Sequence, residues 1–429
     1  MKHLSLSLFL ISLFFVSFTN SYPQSSDAYL ESLIKKAIEV SPKLKALKNK
    51  QGVADSKIAQ NSNLPDPMLT LGLMNLPTNS FSFTQEPMTG KIIGLSQAVP
   101  FPGRLSAAAD MLGKDGEIVQ QEIDDSRNEI ANDVRKIYYE LRFTREAIRI
   151  AERSKKNLEQ ISQVVKTKYT VSNASQQNLI QIEVELTKIR DKIEELKGNE
   201  GANLAALNSY LLQAPDVNIQ TEKVPAISSN DFTVVKLVES AKENRPFLKG
   251  ISLATEKSKL MENLADYEFY PNFNFSVQYS QRDEISRTNT PLNDLTSFMV
   301  GINLPFDYGG KKSSKVEEAQ LMQKMYIDQY DAALQMLSKS FGVSVAKLNE
   351  LKERERLVRE GLLPQAEQAL KATIANYQVG EIDFINVLDA QNKVYEVETN
   401  LYKIRTAYFK ELSQLEFLTG TKNVIPASF

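Results

Sequence analysis

The chain has 429 residues, with no cysteine, no tryptophan and a single histidine, His3. Lysine and arginine total 51 against 53 acidic residues, a formal charge of −2, too balanced for a nucleic-acid or anionic-lipid binder that works by charge alone. Thiolate chemistry, disulfides, iron–sulfur clusters, Ser-His-Asp catalysis and imidazole or cysteine metal sites are excluded once His3 is removed with a leader, so no enzyme activity, cofactor, metal site or nucleic-acid partner is expected.

Met1-Lys2-His3 lead into an apolar run from Leu4 to Phe18, followed by Thr19, Asn20 and Ser21. A basic start, an apolar stretch and a small-residue exit describe a secretory signal peptide, residues 1–21. The run falls short of the roughly 20 apolar residues that a membrane-spanning helix needs, and no cysteine follows it for acylation. No later segment reads as a helical span. Membrane insertion of the exported chain therefore has to use strands.

Residues 22–212 form a first unit. A helical segment, Pro42 to Asn63, precedes two short extended segments at about 67–76 and 91–100. Leu69, Leu71 and Leu73 alternate with smaller or polar neighbours, as do Ile93, Leu95, Gln97 and Val99 less cleanly. A long helix at about 104–169 follows, free of proline. At 1.5 Å per residue it makes a rod of about 100 Å. Ile123, Ile130, Ile137, Thr144, Ala151, Leu158 and Val165 repeat every seven residues along it, a coiled-coil seam with one polar break. A turn at Tyr169-Thr170-Val171-Ser172-Asn173 leads to a second helix at about 173–212, whose Lys/Glu stretch from Lys188 to Lys197 is a solvated face. Pro215, Pro225 and Ser228-Ser229 mark residues 213–231 as a linker.

Residues 232–429 repeat the plan: a helix at Pro246 to Glu268, strands at about 273–282 and 296–305, and long helices at about 310–377 and 381–419. Landmarks recur 204 to 208 residues apart, as in Pro42 and Pro246, Pro67 and Pro271, Val99-Pro100-Phe101 and Leu304-Pro305-Phe306, and Tyr169-Thr170-Val171-Ser172 and Tyr377-Gln378-Val379-Gly380. The same order throughout indicates a duplication. In the last helix Val387, Val394, Leu401, Tyr408 and Leu415 form one stripe and Leu388, Tyr395, Tyr402 and Phe409 the next, which suits a closed helical wall and a plain bundle alike.

The strands of the second unit carry the clearest signal. Phe273, Phe275, Val277 and Tyr279 alternate with Asn274, Ser276, Gln278 and Ser280, and Phe298, Val300, Ile302 and Leu304 do the same. About 10 residues matches a transmembrane β-strand. A half-buried soluble sheet alternates in the same way; the export signal and the aromatic face favour lipid. Four strands cannot close, and a bilayer tolerates no open sheet edge. Two copies would supply eight strands, about the minimum for a barrel, and three would supply twelve.

The duplicated strand-pair and long-helix plan resembles the outer-membrane efflux protein family, the TolC-like channel-tunnels. Tyr377-Gln378-Val379-Gly380-Glu381-Ile382-Asp383-Phe384-Ile385-Asn386-Val387-Leu388-Asp389-Ala390 resembles the family's turn between its last two helices. Pro65-Asp66-Pro67-Met68 and Ser96-Gln97-Ala98-Val99-Pro100-Phe101-Pro102-Gly103 resemble its heavy-metal efflux branch. The resemblance implies a mainly α fold with a small β part. Three copies would share a 12-strand barrel in the outer membrane of a Gram-negative-type bacterium, continued by a periplasmic α-barrel. It implies a passive exit duct serving a periplasmic adaptor (membrane fusion) protein and an inner-membrane pump. Docking falls to Val379 and Gly380, with Val171 and Ser172 at the matching place in the first unit. The gate falls to Asp389, Asn386 and Tyr377. Asn386 stands where a second aspartate is usual and Ile382 where an arginine is usual. Lipid contact falls to Phe273, Phe275, Val277, Tyr279, Phe298, Val300 and Ile302. An exported coiled-coil structural or adaptor protein without membrane strands is the other reading. Gly309-Gly310-Lys311-Lys312-Ser313 has proline and lysine where a phosphate loop needs glycine and serine or threonine. The scattered methionines read as filling.

Overall fold

The computed structural model describes residues 26–172, 174–227 and 231–421. The predicted signal segment, Asn173, Ser228-Ser229 and the last eight positions lie outside the described residues. The elements run α1 (Ser26–Val40), α2 (Pro42–Ser62), β1 (Met68–Met74), β2 (Gly90–Val99), α3 (Arg104–Thr170), α4 (Gln176–Tyr210), α5 (Val234–Asn244), α6 (Pro246–Asp266), β3 (Phe273–Gln281), β4 (Leu295–Ile302), α7 (Lys311–Leu357), α8 (Leu363–Val379) and α9 (Phe384–Thr419). A π turn, Val358–Leu362, joins α7 to α8.

Local chemistry sets the boundaries. Pro42 and Pro246 open α2 and α6 in the first turn, where a missing N–H leaves no bond unmade. The Ser41 hydroxyl accepts from the Leu44 N–H at 3.3 Å. The Asp307 carboxylate accepts from the N–H groups of Lys312 at 2.7 Å and Ser313 at 3.3 Å. The Gly309–Ser313 stretch is thus a capped helix start. Gly103 precedes α3 at φ 92, and a Cβ there would lie 2.6 Å from the Tyr267 hydroxyl. Only glycine satisfies both demands.

All four strands form one antiparallel sheet in the order β1-β2-β3-β4. Leu69, Leu95, Val277 and Phe298 share one row across it, and Val99, Phe273 and Ile302 another. Below the sheet α2 packs on α3, α3 on α6 and α6 on α7. Further along, α4 packs on α3, α3 on α9 and α9 on α8. The helices form a wall, with α2 and α7, then α4 and α8, at its lateral edges. Helix α3 runs its whole length unbroken over 67 residues. Its predicted seam is buried, apart from a half-buried Ile137. One apolar cluster fills the middle of the molecule around Tyr138, Phe341 and Tyr408. A second, including Leu158, Val165, Ile182, Tyr377 and Phe384, lies toward the hairpin tips.

The segment that reads as a linker is anchored. Arg142 donates to the carbonyls of Glu222, at 3.0 Å, and of Lys223. Arg145 reaches Thr221 Oγ1 at 2.9 Å and Asn218 Oδ1 at 2.8 Å. Ile219 and Val224 are buried beneath the strap. Among the described residues no helix is long and apolar enough to cross a membrane.

Candidate functional site

Two surfaces carry the sequence-predicted residues. On one face of the sheet Leu69, Leu71, Leu73, Ile93, Leu95, Phe275, Val277, Tyr279, Phe298, Val300 and Ile302 are all exposed, Phe298 to 81%. Half-buried Phe273 stacks on Phe275 at 6.3 Å. Such an apolar area far exceeds the scattered hydrophobics of an ordinary surface. The other face presents Thr70, Gly94, Ser96, Asn274, Ser276, Gln278 and Ser297 interspersed with Met68, Met74, Ile92, Leu295 and Met299, with no ionisable side chain among its strand residues. One side is thus apolar and the other mixes polar, small and apolar residues without charge, the asymmetry of a barrel wall between lipid and an aqueous bore.

Aromatic side chains collect where β2 ends and β3 begins. Phe101 stacks on Tyr270 at 4.6 Å, and Phe306 sits 5.7 Å from Tyr308, which is 83% exposed. These rings are placed as an interfacial girdle would be. At the opposite end the loops 75–89 and 282–294 are tied together. Ser286 N–H donates to the Thr84 carbonyl at 3.1 Å, and Lys91 pairs with Asp283 at 3.2 Å.

The second surface is the tip of the two helical hairpins, α3–α4 and α8–α9. Val171 and Ser172 stand exposed at one turn, Val379 and Gly380 at the other. Ser172 and Gly380, equivalent by the duplication, both adopt left-handed backbone, with φ 61 and 84. In the second hairpin Gly380 caps α8, its N–H bonding the Tyr377 carbonyl at 3.2 Å while Glu381 N–H reaches Asn376 O at 2.9 Å. Tyr377 is buried and packs its ring 5.3 Å from Phe384. Burial pushes its hydroxyl above the ordinary tyrosine range, with the side chain of Asn178 on α4 pulling the other way. Asn386 and Asp389 are exposed one turn apart on α9, and Asn386 Nδ2 donates to the Asp383 carbonyl at 3.2 Å. Tyr377 thus lies inside the tip while Asp389 and Asn386 face outward.

Residues 237–421 match the Outer membrane efflux protein family. The second unit is thus similar in sequence to the outer membrane efflux proteins. It is 23% identical over 240 residues to outer membrane protein TolC of Vibrio cholerae, covering 55% of this chain and 52% of that one. It is 21% identical to the cobalt-zinc-cadmium resistance protein CzcC of Cupriavidus metallidurans, covering 61% of this chain and 57% of the other. The chain thus spans little more than half the length of these curated relatives. The fold matches the crystal structure of the outer membrane protein VceC from Vibrio cholerae at a TM-score of 0.75 and 17% identity, over 92% of this chain and 96% of that one.

One tip residue has no distinguishing mark in the sequence. Lys168, in the last turn of α3, donates to the carbonyls of Tyr377 at 2.8 Å and Gln378 at 3.0 Å, and sits 4.5 Å over the Tyr377 ring. The stretch around it, Lys166-Thr167-Lys168-Tyr169, reads as an ordinary solvated helix end. Its role exists only because the fold lays the ends of α3 and α8 side by side.

Proposed function

We propose that this chain is the outer-membrane exit duct of a tripartite efflux or secretion system, a passive channel built by three copies with a large periplasmic part. Three four-stranded sheets joined β4 to β1 about a threefold axis make a twelve-strand barrel without a free edge, as a bilayer demands. The observation that carries the reading is the exposed apolar face of a sheet whose outer edges find no partner within the described chain. A soluble adaptor or structural coiled coil has no use for such a face.

The helical edges favour the same assembly. Leu321, Met325, Met336 and Val343 form an exposed stripe on α7, while α2 exposes the smaller Gly52, Val53 and Ser56 at the other edge. Large side chains of one copy would seat on the small-residue helix of the next. The Val171-Ser172 and Val379-Gly380 turns form the end that meets a periplasmic adaptor and, with it, an inner-membrane pump. Asp389, Asn386 and Tyr377 belong to the gate there; three Asp389 carboxylates around an axis favour cations. Heavy-metal cations are the substrate class that the likeness to CzcC and the Pro65-Asp66-Pro67-Met68 motif favour.

Detergent extraction of the membrane fraction followed by negative-stain imaging tests the assembly. Threefold cylinders over about 100 Å long are expected. Protein confined to the soluble fraction, or seen as thin rods, would overturn the duct.

A further inference from the structure

We propose that Lys168 is the latch that holds the second hairpin's tip against the first, in place of a side-chain ion pair. The proposal rests on the conduit reading above. Its basis is a convergence of charge at the tip. Helices α3 and α8 both end there, and the C-terminal end of a helix carries negative partial charge on its free carbonyls. Two such ends side by side repel unless a cation lies between them. The Lys168 ammonium occupies that place, donating to Tyr377 O at 2.8 Å and Gln378 O at 3.0 Å from above the Tyr377 ring. One ammonium therefore satisfies two carbonyls of the neighbouring hairpin and a ring face at once.

The position decides what the contact does. Next up from the tip, the hairpins are bonded by Asn392 to Glu185 at 3.1 Å and by Gln391 to Ser154 at 3.3 Å. Above these, α7 gives way to α8 through the π turn Val358–Leu362, which follows Glu355. The Glu355 carboxylate is buried and held by Arg405 of α9 at 2.8 Å and by Arg359 at 3.2 Å. Within the second hairpin the buried ion pair joins α7 to α9 at the π turn, and at the free end Lys168 adds a polar contact to the apolar cluster that Leu158, Val165, Tyr377 and Phe384 share across the two hairpins, whereas α3 in the first hairpin is unbroken. Releasing the free end lets the lower part of α8–α9 swing about the π turn. The latch acceptors are main-chain carbonyls, so no carboxylate has to be ionised for it to hold.

The absence of cysteine makes the test clean. Purified trimers of wild type, Lys168→Met and Lys168→Arg are compared in planar bilayers. Lys168→Met keeps the aliphatic stem and removes the donor; its open population is expected to rise on the order of tenfold. Lys168→Arg restores donors in reach and should return to wild type. The double variant Lys168→Cys with Gln378→Cys should conduct like Lys168→Met, and fall back to wild-type current once a short bismaleimide joins the two thiols. Wild-type currents from Lys168→Met, or from the unlinked double-cysteine chain, overturn the latch and leave the conduit standing. Trimers that insert no pore in any form overturn the conduit, and the latch with it.

Discussion

Gly380 and Gly420 both sit at positive φ, 84 and 76, yet a methyl group would cost them different amounts. Around Gly380 the space is open, so alanine meets only the backbone preference, about 1 kcal/mol. At Gly420 a Cβ would lie 2.7 Å from the Asn244 carbonyl oxygen, where α9 ends against the start of α6. Gly420→Ala should therefore lower the midpoint of thermal unfolding clearly more than Gly380→Ala; equal shifts would mean that the close approach is relieved at no cost. Phe275 makes the complementary point on the sheet. Phe275→Arg places a charge on the open apolar face, at about 2–4 kcal/mol near a bilayer midplane. Loss of membrane assembly in fractionated cells is expected, and normal assembly would rule out lipid contact there.

At the scale of the elements, ion pairs tie together two junctions whose titration can be tested. Glu268 lies between the end of α6 and β3 and pairs with Arg104 at 2.7 Å and Lys315 at 3.1 Å, joining the starts of α3 and α7. Burial pushes its carboxyl up, but the Lys315 hydrogen bond and the Arg104 charge outweigh this and hold it below the ordinary range. A carboxylate depressed in the fold adds stability above its unfolded pKa and loses it as pH falls through the folded one. Glu268→Gln should thus melt below wild type at neutral pH, with the gap closing under acid; a gap independent of pH would refute this. Glu355 is the second junction. Deleting its charge strands Arg405 in a buried site, which costs about 3–5 kcal/mol in comparable pairs. Glu355→Gln should accordingly reduce the melting temperature by more than the exposed pair partner Glu353→Gln does.

The element scale also shows where pattern reading fell short. The segment 310–377 has the composition of one long helix, yet a π turn interrupts it at Val358–Leu362. Pro364 lacks the N–H that would bond back to residue 360, and the wider turn absorbs the defect. The Pro- and Ser-rich stretch 213–231 reads as the linker between the units, and what holds it in place is not legible there. Arg142 and Arg145, far upstream on α3, bind its carbonyls, and that partnership has no local signature.

For the whole molecule, the lateral edges decide the assembly. A charge in the exposed α7 stripe, as in Met336→Lys, should weaken trimers while leaving the chain folded, read as a shift to smaller species on native gels with unchanged helical circular dichroism. Intact trimers would remove that stripe from the interface.

The duplication, the strand periodicity and the α3 seam were legible in the sequence because each is a short-range regularity: two residues in a strand, seven in a helix, a unit repeated once. So was the turn at Gly380, where glycine answers a local demand of backbone geometry. What only the tertiary structure decided was which side chains meet across distance. Tyr377 was legible as a tip residue, but its partner Lys168 lies 209 positions away, and Glu355 finds Arg405 across 50. Such pairs leave no periodic trace, since one ammonium or guanidinium on a solvated-looking helix face resembles any other until the packing of α3, α8 and α9 brings it to its acceptor.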